Sequence, residues 1–176
     1  MKRLSALALA VALFAAGCGC SSSTTTTTAP STAANPIFNA LLSPANEVPP
    51  VTNAESTVSG TATITFNTTK DSAGNITAAT ATFAVTLGGF PAGSSVNIAH
   101  IHEGASTCVC PVVVNTSLGA GQVSISNGLA SFLREGIVVD PAVAQRMIAN
   151  AGGFYFNVHT TLNGGGAARG QLVKVQ

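Results

Sequence analysis

The chain has little charge, few aromatic side chains and no tryptophan. Charged residues make up 7% of its 176 positions, aromatic residues make up 5%, and the formal net charge is +1. A protein that binds nucleic acid usually presents a basic face, which the seven lysines and arginines scattered along this chain do not provide. The composition therefore argues against nucleic acid as a partner.

The sequence also lacks the common motifs of nucleophilic and phosphate chemistry. None of the serines lies in a Gly-x-Ser-x-Gly turn, no glycine-rich phosphate loop opens a helix, and the only aspartates are Asp71 and Asp140. Hydrolase and nucleotide-dependent activities are therefore poorly supported, and an enzymatic function is not predicted.

The amino end carries the features of an export signal. Lys2 and Arg3 precede an apolar run over residues 4–16, which is too short to span a bilayer as a stable helix. Small residues then lead to Cys18, as in a bacterial lipobox, whose cysteine is lipidated and becomes the mature first residue. We predict a signal peptide over residues 1–17 and lipidation of Cys18. An ordinary secretory signal with a nearby cysteine is the alternative.

The next segment, residues 18–36, is rich in serine and threonine. It cannot bury enough apolar surface to offset its chain entropy, so we expect it to be disordered. Behind a lipidated cysteine, such a segment is typical of a tether. The prediction is an extracytoplasmic protein anchored to a bacterial membrane, in the periplasm or at the cell surface. The membrane is its expected partner, together with a protein or cell-surface partner that the sequence does not identify.

Of the four cysteines, Cys108 and Cys110 form the pair inside the folded part. An exported chain meets an oxidising compartment, where disulfides form. The single residue between the two cysteines differs from the two-residue gap of common zinc sites. A local disulfide is the favoured interpretation; two free thiols or a pair of soft metal ligands are the alternatives.

Strand patterns and turn residues alternate through the rest of the chain. The runs 60–66 and 76–87 show period-two alternation and predict a hairpin. Asn127-Gly128 predicts a second hairpin, between the runs 122–126 and 129–133, because both residues tolerate a positive φ.

One short helix is predicted near residues 141–150. Asp140 can cap it and Pro141 suits its first turn. A last strand is expected over 171–175. Together these elements predict an all-β domain over residues 37–176, an antiparallel Greek-key-like sandwich or barrel with this one helix.

The three histidines are the main candidates for polar chemistry. His100 and His102 are two residues apart in a strand pattern, so they point to one face, and His159 lies in another strand pattern, residues 154–160. If the two strands are neighbours, three imidazoles converge in a donor set that suits copper, zinc or nickel. Imidazoles farther apart than about 8 Å could not share an ion. The alternative is a structural role with Asn157 as a hydrogen-bond partner.

Several segments, in order, resemble the motifs of the CHRD domain, first described in chordin. They are residues 42–50 (LSPANEVPP), 99–104 (AHIHEG) with 111–114 (PVVV), 155–160 (YFNVHT) and 169–172 (RGQL). The resemblance implies an extracellular β-rich domain, common in bacterial secreted proteins and lipoproteins, that serves as a binding or structural module. It implies neither an established enzymatic activity nor a cofactor. Cys108-Val109-Cys110 departs from the family, which usually has glycine-rich loop residues there.

A fainter similarity is to copper/zinc superoxide dismutases, which also place a His-x-His pair on a strand of an antiparallel sandwich. Residues 164–170 resemble their arginine-bearing segment near the carboxyl end. On this comparison His100, His102 and His159 match three copper ligands, but no fourth histidine is present to bridge to zinc. The alternative function is therefore a copper-binding, superoxide-dismutase-like redox domain.

The scarcity of charge also singles out Glu47 and Arg169, near opposite ends of the folded part. Arg169 could steer an anion, or it could pair with Glu47 and join the two ends. We predict the ion pair, which specifies register more than it stabilises when it is buried.

Overall fold

The computed structural model describes residues 35–176. The predicted signal peptide, the lipidation site at Cys18 and nearly all of the predicted tether lie outside these residues. Within residues 35–176, no helix has both the length and the apolar character that a membrane crossing requires.

Residues 35–176 form ten strands, one α-helix and two 3₁₀ turns. The strands are β1 (Ile37–Leu42), β2 (Ser59–Lys70), β3 (Ile76–Gly88), β4 (Val96–Glu103), β5 (Val112–Asn115), β6 (Ile125–Ser126), β7 (Leu129–Val139), β8 (Phe154–Thr160), β9 (Ala168–Gln171) and β10 (Val173–Lys174). The helix is α1 (Pro141–Ala149), and the 3₁₀ turns span Pro44–Asn46 and Ala151–Gly153.

The strands form two antiparallel sheets that face each other. The larger has the order β10-β1-β2-β3-β7-β6, and the smaller has the order β5-β4-β8-β9. Phe83 of the larger sheet stacks on Phe156 of the smaller, with ring centroids 5.8 Å apart, so the hydrophobic core lies between the sheets. The prediction of an all-β fold with one short helix is confirmed, and of the two expected architectures the structure has the sandwich.

The first predicted hairpin is confirmed as β2 and β3. Their alternation buries apolar residues such as Ile64 and Phe83 and turns threonines outward. The tip closes because Asp71 Oδ1 accepts hydrogen bonds from the amides of Ala73 and Asn75, at 2.9 and 2.8 Å.

The second hairpin forms around Asn127-Gly128, but its strands differ in length from the prediction. Asn127 and Gly128 have φ values of 50° and 75°, as this turn requires. β6 contains only Ile125–Ser126, whereas β7 continues to Val139. The predicted end at residue 133 was wrong because β7 pairs with β3 over most of its length, and pairing between distant segments leaves little local signal.

Helix α1 begins as its sequence predicts. Asp140 Oδ1 accepts hydrogen bonds from the amides of Ala142 and Val143, at 2.8 and 3.1 Å, and Pro141 is the first helical residue. The helix buries Val143, Ala144 and Met147. It therefore packs through one face, and the chain after it passes through the 3₁₀ turn Ala151–Gly153 into β8.

The carboxyl end contains two strands where the sequence predicted one. β9 belongs to the smaller sheet and β10 to the larger, with the buried Leu172 between them. The two sheets meet here, and a Cβ on Gly170 would collide with the backbone oxygen of Leu41. The neighbouring Arg169 lies beside the segment that follows β1, where its amide donates to the carbonyl of Ser43 at 3.3 Å.

Candidate metal centre

The smaller sheet has one face on the core and one face covered by loops. Ile101 of β4 lies opposite Phe156 of β8, and both are fully buried in the core. The alternate residues face the other way, with His100 opposite Asn157 and His102 opposite Tyr155. The histidines therefore occupy the face that points away from the core.

The structure brings the three histidines together. Nε2 of His159 lies 2.8 Å from Nε2 of His100, and one nitrogen from each of the three rings lies within 4.8 Å of the others. All three residues are only 7–9% exposed. The spacing is well inside the 8 Å limit, and nitrogens bound to one tetrahedral zinc lie about 3.4 Å apart. We call these three residues the histidine trio.

Two backbone carbonyls orient the trio. Nδ1 of His102 lies 2.6 Å from the carbonyl oxygen of Cys110, and Nδ1 of His159 lies 3.0 Å from that of Gly164. A carbonyl can only accept a hydrogen bond, so Nδ1 of each ring carries the proton and Nε2 carries the lone pair. Metal-binding histidines in proteins are commonly held in this way.

Burial keeps the trio neutral. It lowers the pKa of His100 to about 3, with further lowering from His159 and His102. Burial also lowers the pKa of His102 and of His159, although their hydrogen bonds to carbonyls act in the opposite direction. At neutral pH the imidazoles therefore have lone pairs that can bind a metal ion.

Two unpaired polar atoms lie at the trio or beside it. Four buried side-chain atoms in residues 35–176 lack a hydrogen-bond partner, and Nε2 of His102 and Oδ1 of Asn157 are two of them. Both lie on the face of the smaller sheet that carries the trio. Because buried polar atoms are usually paired, unpaired atoms at one place indicate a site for an ion or a small ligand. Asn157, the hydrogen-bond partner named in the structural alternative, does not fill that role, which belongs to the two carbonyls.

Tyr155 completes the surroundings of His102. Its ring stacks on the imidazole with centroids 4.5 Å apart and planes 8° apart. Its hydroxyl donates to the carbonyl of Cys108 at 3.0 Å and accepts from the amide of Cys110 at 3.2 Å. Tyr155 therefore connects His102 to the loop between β4 and β5. Sequence reasoning missed this role, although Tyr155 is the only tyrosine in the chain.

The structure places Cys108 and Cys110 in a disulfide, with Cα atoms 5.4 Å apart. The loop that contains them is held by Arg169, whose Nη1 donates to the carbonyls of Ser106 and Cys108 at 3.3 and 2.8 Å. Because both sulfurs are bonded to each other, neither cysteine offers a thiolate to a metal beside the histidine nitrogens.

Glu47 and Arg169 form a buried ion pair. Nε and Nη2 of Arg169 both lie 2.6 Å from Oε2 of Glu47, and the side chains are 3% and 2% exposed. Burial raises the pKa of Glu47, against the lowering effect of Arg169. With Glu47 on one side and two loop carbonyls on the other, Arg169 has little donor capacity left for an anion. The geometry therefore favours the ion pair over anion steering.

Glu103 follows His102 in the chain but lies outside this group. Its carboxylate pairs with Arg146 of α1, with both hydrogen bonds 2.8 Å long. Glu103 therefore ties the helix to the end of β4 and takes no part in the surroundings of the trio.

The fold and site together define a two-sheet β-sandwich with a buried histidine cluster under a disulfide loop. In a comparison with known protein families, the CHRD domain family matches this chain over residues 38–172. The chain belongs to this family, and the resemblance read from its motifs is confirmed. Comparison with curated proteins and with solved structures finds no match.

Proposed function

We propose that this CHRD-domain protein is a lipid-anchored, extracytoplasmic binding module whose histidine trio holds one transition-metal ion. The observation that carries the metal site is the convergence of three neutral imidazole nitrogens within 4.8 Å of one another. The rings of His102 and His159 are already oriented by carbonyls at Nδ1, so an ion would not have to order them. Nε2 of His102 has no partner, and Nε2 of His159 would exchange its hydrogen bond with His100 for the metal.

The chemistry of the donor set narrows the choice of metal. Imidazole nitrogen suits zinc, copper and nickel, whereas calcium and magnesium prefer oxygen ligands. Three protein nitrogens leave a coordination position for water or another small ligand. We therefore expect zinc, copper or nickel rather than calcium or magnesium, with His100, His102 and His159 as the protein ligands.

A copper redox function, like that of superoxide dismutase, is the second candidate. The observation that favours it is the residual 7–9% exposure of the three histidine residues, which places the site next to solvent. If the copper-loaded protein consumes superoxide no faster than the metal-free protein, this candidate is excluded while metal binding stands.

The anchor is supported by the sequence alone. Lys2, Arg3, the apolar run 4–16 and Cys18 have the order of a lipoprotein signal. Cys18→Ser should move the protein from the membrane fraction to the soluble extracytoplasmic fraction. Retention in the membrane fraction would contradict the anchor.

The metal site is tested by titrating Zn(II) and Cu(II) separately into the full chain carrying Cys18→Ser and Cys20→Ser, in which Cys108 and Cys110 are the remaining cysteines. We expect binding near one equivalent and a rise in the unfolding temperature. His102→Ala should weaken binding by more than the ~10–100-fold that loss of an outer hydrogen-bond partner costs.

Glu135→Gln is the matched control, since it removes an exposed charge on β7 and should leave binding unchanged. Weak binding of many equivalents, or equal affinity in His102→Ala, would overturn the proposed function.

A further inference from the structure

The disulfide loop lies directly beside His102. We give this name to residues 104–111, which connect β4 to β5. Cys108 and Cys110 are partly exposed, and Val109 between them is 78% exposed. A reductant in solution could therefore reach the sulfur atoms without unfolding the domain.

Both cysteines use their backbone to hold His102. The carbonyl of Cys110 accepts from Nδ1 of the imidazole at 2.6 Å. The Tyr155 hydroxyl bonds to the Cys108 carbonyl and to the Cys110 amide, while its ring stacks on His102. The disulfide thus restrains the backbone of Cys108 and of Cys110. Through their hydrogen bonds, these two residues set the tautomer and the tilt of His102, one of the proposed metal ligands.

The sulfur atoms also pack against the end of β4. A Cβ on Gly104, two residues after His102, would collide with the sulfur of Cys110 and come within 2.8 Å of that of Cys108. If the bridge is reduced, the two sulfurs must separate to van der Waals distance, but Gly104 blocks one direction. Without the bridge, the backbone of Cys108 and Cys110 loses this restraint, and so does the Cys110 carbonyl that holds His102.

We infer that the Cys108–Cys110 disulfide is a positioning element of the metal site, so that the oxidised protein binds the metal and reduction weakens binding. The inference rests on the proposed metal-binding function. The expected weakening is ~10–100-fold, the range seen when an outer partner of a histidine ligand is lost. By linkage, the bound metal in turn favours the disulfide.

The redox step is ordinary thiol–disulfide exchange with a dithiol reductant. A thiolate of the dithiol attacks one sulfur, the Cys108–Cys110 bond breaks and a mixed disulfide forms. The second thiol of the reductant then displaces the first cysteine, and the reductant becomes the disulfide. Two electrons have passed to the protein, and with two protons they leave both cysteines as thiols.

The test measures Zn(II) affinity, by competition with a chromophoric chelator, for the full chain carrying Cys18→Ser and Cys20→Ser. Three samples are compared. The first is the oxidised chain, and the second is the same chain after reduction by a phosphine that is then removed anaerobically. The third, the alanine chain, carries Cys108→Ala and Cys110→Ala in addition. We expect the reduced chain and the alanine chain to bind ~10–100-fold more weakly than the oxidised chain. Phosphine should not change the alanine chain.

A second measurement separates positioning from a general loss of stability. The imidazole Nδ1–H signals of His102 and His159 can be followed by NMR in the metal-free protein. Reduction should shift or broaden the His102 signal and leave that of His159, which bonds to Gly164 in another loop. Tyr155→Phe keeps the stacked ring and the disulfide but removes the hydroxyl bonds to the loop, so it should also weaken zinc binding. If the alanine chain does not fold, the comparison of the oxidised and reduced chains decides the inference.

Each outcome has one meaning. Equal or tighter zinc binding by the alanine chain overturns the inference, as does an unchanged His102 signal on reduction. If the oxidised chain itself fails to bind zinc or copper near one equivalent, the proposed function fails instead, and the two results cannot be confused.

Discussion

The Nε2 atoms of His100 and His159 lie 2.8 Å apart, although the residues are 59 positions apart in the chain. Because Nδ1 of His159 is committed to the Gly164 carbonyl, its Nε2 accepts, and Nε2 of His100 donates in the metal-free protein. For both nitrogens to bind a metal, the proton of His100 must move to Nδ1. The site therefore exchanges one internal hydrogen bond for two metal bonds.

The first prediction concerns the pH dependence of stability in the metal-free chain. The pKa of His100 is lowered from 6.5 to about 3 in the folded state. Between about pH 7 and about pH 5 the unfolded chain therefore binds a proton at this residue and the folded chain does not. The free energy of unfolding should fall over this interval, by up to about 2 kcal/mol from His100 alone.

Urea unfolding at both pH values, with chelator present, measures this difference. His100→Gln removes the titrating group and should flatten the dependence by a similar amount. If wild type and His100→Gln lose the same stability on acidification, the folded protein protonates His100 as readily as the unfolded chain does, which would contradict the prediction.

The second prediction concerns the buried ion pair of Glu47 and Arg169. Glu47→Gln leaves the Arg169 charge buried without compensation, which should lower the free energy of unfolding by about 3–5 kcal/mol. Adding Arg169→Met should recover part of this loss, because no unpaired charge then remains. A double-mutant cycle by chemical denaturation measures the coupling, and a loss below about 1 kcal/mol for Glu47→Gln would show that the pair adds little.

The third prediction concerns Glu103, which is adjacent to His102 in sequence but bonded to Arg146. Glu103→Gln should leave zinc affinity unchanged within about twofold. It should cost at most about 1 kcal/mol of stability, since the ion pair it weakens is largely exposed. The zinc competition assay measures the affinity of the variant, and urea unfolding measures its stability. A tenfold change in affinity would mean that Glu103 acts on the trio after all.

The fourth prediction concerns the junction of the two sheets at Gly170. A methyl group there would collide with the Leu41 backbone, so Gly170→Ala should destabilise the protein by about 1–3 kcal/mol or more. Gly119→Ala is the matched control, because its Cβ would meet only the Gln122 side chain, at 3.7 Å or beyond. Thermal unfolding of the two variants compares them, and equal stability would contradict the close approach.

Much of the fold could be predicted because its signals are local. Period-two alternation predicts β2 and β3, Asn127-Gly128 predicts a turn, and Asp140 with Pro141 predicts the start of the helix. The extension of β7 to Val139 and the change of sheet at Leu172 could not be predicted in this way. Both depend on pairing with strands distant in sequence, which leaves no periodic mark on the residues themselves.

The candidate site, like the fold, could be predicted from the sequence only in part. The spacing of His100 and His102 places them on one face, because residues two apart in a strand point the same way. Nothing in the spacing selects the Cys110 and Gly164 carbonyls as their partners or stacks Tyr155 on His102, since backbone carbonyls are chemically alike at every position.

The sequence by itself thus determined the family, through an ordered set of short motifs, and the class of fold, through alternation and turns. It also determined which residue types were available for chemistry in a chain with so little charge. Only the tertiary structure decided that His159 meets His100, that loop carbonyls direct the lone pairs, and that the disulfide loop lies beside His102. These are contacts between segments far apart in the chain, and they exist only when the sheets and loops pack together.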